Sequence, residues 1–174
     1  MLQSIERSDY LESIRVRLSE SPVVALLGAR QVGKTTLAAQ VAAGWVGQTV
    51  VFDLERSETR EALRATPEKL LSDQRGLVVL DEVQRMPELF ELLRPLCDDP
   101  KRNAVFLLLG SASWELIKGV SETLAGRIQF VDVSGFSLSE VGPDAQDHLW
   151  CRGGFPSAFQ ASSRDAWDRW MESF

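Results

Sequence analysis

Histidine occurs once in this chain, at His148, and cysteine twice, at Cys97 and Cys151. A single imidazole cannot build a histidine-based metal centre, and two cysteines 54 positions apart form neither a metal-spaced pair nor a disulfide framework. Both thiols therefore read as reduced, in a cytoplasmic setting. The longest strictly apolar run, AVFLLL at 104–109, is far too short to span a bilayer. Charges in MLQSIERSDYLES stand where a signal peptide needs an apolar centre. The formal net charge of −6 offers no general attraction to nucleic acid or to an anionic membrane. Internal repeats, low-complexity tracts and Pro/Gly-rich linkers are also missing.

What is present is a composition, 44% hydrophobic and 25% charged, that can bury a core. Short apolar runs recur at 23–28, 49–54, 76–83, 104–110 and 128–133. They are nearly continuous in Val, Leu, Ile and Phe, the pattern of strands covered on both faces. Segments 33–44, 57–72, 86–98 and 113–125 lie between them and are long enough for helices. Alternation of this kind predicts a three-layer α/β sandwich on a parallel sheet. Residues 4–20 form a polar-rich helix candidate with Ile5, Leu11, Ile14 and Leu18 apolar, expected to pack on the core. Three segments follow: an N-terminal helix to residue 20, a core over 21–135 and a helical extension over 136–174. In the last segment Trp167, Trp170 and Phe174 fall on one helical face, with no glycine, cap or polar tail behind them. We expect the natural chain to continue, and the helix to bury both indoles against this domain or another copy.

Gly28-Ala29-Arg30-Gln31-Val32-Gly33-Lys34-Thr35 fits G-x-x-x-x-G-K-[ST] between a strand and a helix. The two glycines permit backbone angles and close approaches that a side chain would block. Backbone N–H groups and the following helix N-terminus, with Thr36 in its first turn, then face a phosphate. Lys34 reaches the β- and γ-phosphates, and the Thr35 hydroxyl takes a place on Mg²⁺. The strand LVVLDEVQ ends in Asp81, expected to hold Mg²⁺, and Glu82, expected to polarise the attacking water. In LLLGSAS, Ser111 is a candidate sensor of hydrolysis or a helix cap, and Ser113 is more plausibly a cap. In LAGRIQF, Arg127 is either a surface charge or an arginine acting on a neighbouring subunit's nucleotide.

GARQVGKTTL, LDEVQRMPEL, LLLGSAS, ETLAGR, SLSE and GGFP, in that order, resemble the AAA-type ATP-binding proteins of bacteria and archaea. Members of that group carry a C-terminal nuclease-like domain of unknown function, which these residues do not include. The resemblance implies a five-stranded AAA+ sheet of order 5-1-4-3-2 with the LLLGSAS strand in the middle. Ala29 stands where the family often has proline, and Ser157 where it is often acidic. The function expected is Mg-ATP binding and hydrolysis, with ATP and Mg²⁺ as ligands and a homo-oligomer formed through a trans arginine. Two alternatives stand beside it: a nucleotide-gated interaction module with negligible turnover, and a P-loop small-molecule kinase. A GTPase would need an N-K-x-D motif, and the sequence has none.

Overall fold

The structure, a computed structural model, describes residues 5–111, 119–120 and 122–173. Five strands form one parallel sheet: β1 (Val23–Gly28), β2 (Thr49–Asp53), β3 (Gly76–Asp81), β4 (Ala104–Ser111) and β5 (Ile128–Asp132). Their order is β2-β3-β4-β1-β5, which is the expected 5-1-4-3-2 read from the other edge. Strand β4 therefore separates β1 from β3, with Gly28 opposite Ser111 and Leu80 opposite Leu108.

Side-chain alternation along the buried strands feeds two cores. Val23, Ala25, Leu27, Val78, Leu80, Phe106 and Leu108 point to one face. There they meet α3 (Ser57–Ala65), α4 (Pro67–Ser72) and α5 (Leu89–Asp98) through Leu63, Leu71, Leu89, Phe90 and Leu93. Val24, Leu26, Leu77, Val79, Leu107 and Leu109 point to the other. That face is covered by α1 (Ser8–Glu20) through Leu11, Ile14 and Leu18, and by α2 (Lys34–Ala43) through Leu37, Ala38 and Val41. Burying the methylenes of such central strands on both sides supplies the main driving force for this sheet. Edge strand β2 departs from the expected double coverage, since Val51 remains 60% exposed.

Boundaries differ from the sequence reading where proline or a turn intervenes. The helix expected over 57–72 is two helices, because Pro67 drives Thr66 out of the helical region to φ −147°, ψ 60°. The strand expected over 76–83 ends at Asp81, and Val83–Arg85 form a 3-10 turn instead. The helix expected from residue 86 begins at Leu89, after Pro87. The N-terminal helix begins at Ser8, and Ile5 lies in the segment before it. Of the helix expected over 113–125, residues 119–120 and 122–123 are helical, while Ser113 lies outside the described residues.

After β5 the chain continues as α6 (Leu138–Val141), α7 (Gln146–Arg152), α8 (Pro156–Phe159) and α9 (Arg164–Ser173). Helix α6 opens with a capping box: the Ser137 side chain accepts from the third helical amide, and Glu140 accepts from the Ser137 amide at 2.7 Å. Helix α9 returns to the sheet's loop end. Trp167 and Trp170 are each half-buried, donating their indole N–H groups to Arg152 O at 3.0 Å and Gln31 Oε1 at 2.8 Å. His148 is an exposed residue of α7 with its ring against Phe159.

Candidate functional site

Residues 28–34 leave the end of β1, turn, and enter α2 at Lys34. The two glycines of this loop serve different needs. Gly33 adopts φ +92°, a left-handed angle that suits glycine. At Gly28 the constraint is space: an added Cβ would lie 2.2 Å from the Val133 carbonyl oxygen. Gln31 is also left-handed, at φ 64°, and its side-chain oxygen accepts the Trp170 N–H. Arg30 and Ala29 are exposed at the loop's crest, and Val32 is buried beneath it.

Lys34 is buried to 7% exposure, and its Nζ donates to Gly28 O at 2.9 Å and Ala29 O at 2.8 Å. Burial lowers its pKa below the ordinary lysine value, while the charges of Glu82 and Asp81 oppose that shift. Thr35, in the first turn of α2, donates its hydroxyl to Asp81 Oδ2 at 2.8 Å. The other Asp81 oxygen accepts the Glu82 amide at 2.9 Å. Two residues 46 positions apart, both singled out as metal ligands, are thus brought together at the ends of α2 and β3. A hydroxyl beside a carboxylate is a donor set suited to a hard cation such as Mg²⁺. Among the described residues no group of three or more His, Cys, Asp or Glu could hold a metal ion. An ion here would thus complete its shell from phosphate oxygens and water.

Glu82 lies in the left-handed region, at φ 59° and ψ 45°, just past the end of β3. A non-glycine residue there carries strain that surrounding contacts must hold. One such contact comes from Gln84, whose side-chain N–H donates to Glu82 Oε2. The Gln84 amide oxygen is buried and, among the described residues, has no hydrogen-bond partner. Sequence reading gave Gln84 no role, although it sits in LDEVQ. Ser111 ends β4 opposite Gly28, between the phosphate loop and Asp81 as expected.

Arg127 is not brought to this cluster. Its carbonyl accepts the Val23 amide at 3.2 Å, at the end of β1 away from the loop. Five residues of strand separate the two ends, roughly 16 Å. Its guanidinium forks onto Asp98, with Nε to Oδ1 at 2.6 Å and Nη2 to Oδ2 at 2.8 Å. That hydrogen bond holds the Asp98 carboxyl below its usual range.

Two residues bordering the loop were given no role in sequence, although one of them, Glu140, ends the SLSE piece of the resemblance. Arg7, 4% exposed, reaches Val32 O at 3.3 Å, and Glu140 meets it at 2.5 Å. Beside the loop is a cavity of about 160 Å³ lined mainly by Ile5, Val32, Thr36, Leu37, Phe136 and Pro156. Most of its surface is apolar, and Gly33 and Thr36, where the loop enters α2, are among its lining residues.

The sequence model of one family, described as AAA domain, matches residues 20–142. An uncharacterized protein of Mycobacterium tuberculosis is 44% identical over 170 residues, which are 98% of this chain and 38% of that protein. An uncharacterized protein of Mycobacterium bovis matches with the same identity and coverage. The chain thus spans about two fifths of the length of the curated relatives it matches. Among solved structures, a Walker-type ATPase of Pyrococcus abyssi superposes with a TM-score of 0.65 at 16% identity, over 98% of this chain and 69% of that one. At that identity the likeness concerns the fold.

Proposed function

The chain belongs to the AAA domain family, and we propose that it binds Mg-ATP at residues 28–36 and hydrolyses it to ADP and inorganic phosphate. The observation that carries the reading is the Thr35–Asp81 contact of 2.8 Å beside a buried lysine, with Glu82 next in the chain. Backbone N–H groups of Ala29 to Lys34 and the start of α2 receive the phosphates. Lys34 exchanges its two carbonyl partners for phosphate oxygens, which hold the charge of a buried ammonium better. Thr35 and Asp81 hold Mg²⁺, which when bound neutralises charge on the phosphates. Glu82 accepts a proton from the attacking water, whose oxygen displaces ADP at the γ-phosphorus. Ser111, at the end of β4, senses the γ-phosphate position. The apolar cavity takes the nucleoside base, and no guanine-reading motif favours GTP.

The test is nucleotide binding to Lys34→Ala by calorimetry. Losing one charge-assisted contact costs on the order of 2–3 kcal/mol. Unchanged ATP affinity would remove the loop from the site, and tight GTP binding without ATP binding would overturn the base assignment.

A second reading is favoured by Arg127, which is held by Asp98 at the sheet end remote from its own loop. A single chain would then bind ATP with negligible turnover, and hydrolysis would need a neighbour's Arg127 in a homo-oligomer. Turnover per chain rising with protein concentration supports the trans arginine, and concentration-independent turnover excludes it. We further propose that residues 1–20, 21–135 and 136–174 act as anchor helix, ATPase core and extension. The cycle would drive or gate the part of the longer relatives that this chain does not span. Two free cysteines and a need for ATP fit a cytoplasmic setting.

A further inference from the structure

Arg7 lies just before α1, and every hydrogen-bond partner of its guanidinium is far away in sequence. Its Nε donates to Glu140 Oε1 at 2.5 Å, and Nη2 donates to Glu140 Oε2 and to Gly135 O, each at 3.2 Å. The remaining arm, Nη1, donates to the carbonyl of Val32 at 3.3 Å. The cation is sandwiched between the Tyr10 ring, 4.4 Å from its centroid, and the Phe136 ring at 5.5 Å. The Arg7 and Glu140 side chains are only 4% and 6% exposed. A buried pair is a poor stabiliser compared with apolar residues of the same size. What it does offer is direction. Arginine alone among side chains can grip a carboxylate with one edge and aim another N–H at a backbone oxygen.

The target of that N–H is informative. The Val32 carbonyl shares a planar trans peptide with the Gly33 amide, so the two point in opposite directions. A donor holding the carbonyl on the Arg7 side turns the Gly33 N–H the other way, away from Arg7. Glycine at 33 accepts either sign of φ with little penalty, so this plane is the easiest in the loop to flip. A flipped plane would present a carbonyl oxygen to phosphate in place of a donor.

We infer that Arg7, seated by Glu140, is a positioning residue that sets the Val32–Gly33 peptide plane for phosphate binding. Nucleotide affinity then depends on how residues 135–140 are seated. The inference rests on the nucleotide reading above.

The test measures binding of Mg-ATP, Mg-GTP and inorganic tripolyphosphate to the chain and to Arg7→Met, Arg7→Lys and Glu140→Gln. Charge-assisted hydrogen bonds of this kind correspond to about ten- to hundredfold in affinity. Arg7→Met should lose that factor equally for all three ligands, because the defect lies at the phosphates. Arg7→Lys should recover part of it, and Glu140→Gln, which leaves the loop untouched, should weaken all three several-fold. A stability-matched core variant, Leu93→Ala in α5, should melt earlier yet bind as the parent does. Parent-like affinity in both Arg7→Met and Glu140→Gln overturns the inference. So does a loss seen for ATP and GTP but not for tripolyphosphate, which would make Arg7 only a wall of the base cavity. If Arg7→Met fails to fold, the same comparison on Glu140→Gln decides. A parent chain that binds none of the three, and is unaffected by Lys34→Ala, refutes the nucleotide reading itself.

Discussion

Replacing Gly28 with alanine places a methyl group where the Val133 carbonyl already stands. The new Cβ would sit 2.2 Å from that oxygen and 3.2 Å from both the Val133 carbonyl carbon and Val32 Cγ2. Ordinary contact needs about 3.5 Å, so something must move by about 1 Å. The obstacle is backbone, and it cannot swing aside freely, because the Val133 amide donates to Leu27 O at 2.6 Å. Overpacking against a fixed partner costs about 3 kcal/mol, the upper part of the usual range. For a chain of this size that lowers Tm by about 6–12 °C. The same shift displaces the start of the phosphate loop, and a misplacement near 1 Å weakens aligned contacts on the order of 10²-fold. Thermal melts with and without Mg-ATP read both effects. At ATP a hundredfold above the parent's Kd, binding adds about 2.7 kcal/mol to the parent. In Gly28→Ala the same concentration only equals Kd and adds about 0.4 kcal/mol, a shift of about 1–2 °C. Gly119→Ala, where none of the described residues lies within 4 Å of the added carbon, is the control and should not destabilise. A Gly28→Ala chain with the parental Tm and the parental response to ATP would refute the steric argument.

Glu82→Gln should retain ATP binding and lose turnover by roughly 10²–10⁴-fold in a phosphate-release assay, the usual contribution of a general base. Arg127→Ala should lose a comparable or larger factor, about 10³–10⁵; mixing it with Glu82→Gln should restore part of the activity, and co-assembled mixtures that recover nothing exclude the trans role. Cys97 is buried, and desolvation pushes its thiol from 9.0 up to about 11, whereas Cys151 is exposed. A disulfide reagent at pH 8 should therefore label Cys151 first and Cys97 at least about a hundredfold more slowly; equal rates would contradict its placement. Because the folded thiol binds its proton more tightly than the unfolded one, Cys97's contribution to stability is intact below about pH 9 and lost as pH rises toward about 11. Cys97→Ser should flatten that alkaline decline in a urea titration.

Parallel strands and a phosphate loop were legible because their signals are local. Five apolar runs between helical segments imply the sheet, and GARQVGKTT carries its own spacing. Thr35 and Asp81 were pairable in advance because the loop motif and the strand ending in Asp-Glu each carry a chemical requirement. The split at Thr66–Pro67 was legible too, and was missed because apolar periodicity was followed across a proline. Arg7 and Glu140 are a different case. They are 133 positions apart, and neither lies in a segment whose composition suggests burial of charge. A lone arginine before a helix and a glutamate in a capping box each satisfy an ordinary local role. Arg127 shows the same limit in part: its place just before a parallel strand puts it at the sheet end opposite the phosphate loop, but a glycine followed by arginine gives no sign of the Asp98 fork.

The sheet order has a bearing on biosynthesis. Strand β1 carries the phosphate loop, yet its two neighbours are β4 and β5, the last strands to be made. When Gly28 leaves the ribosome, a further 104 residues must follow before Asp132 closes the second flank. At 5–20 residues per second that takes about 5–20 s. Until β4 is made VVALL presents two unpaired edges and a strongly apolar sequence, and until β5 follows it keeps one, with the flanking helices α1 and α2 the first to shield it. Those two helices, contiguous with β1 in the chain, cover one face of the strand early. The other face and both edges wait for distant sequence, so a nascent chain stalled before residue 104 would offer an adhesive strand to chaperones or to its own siblings on a polysome.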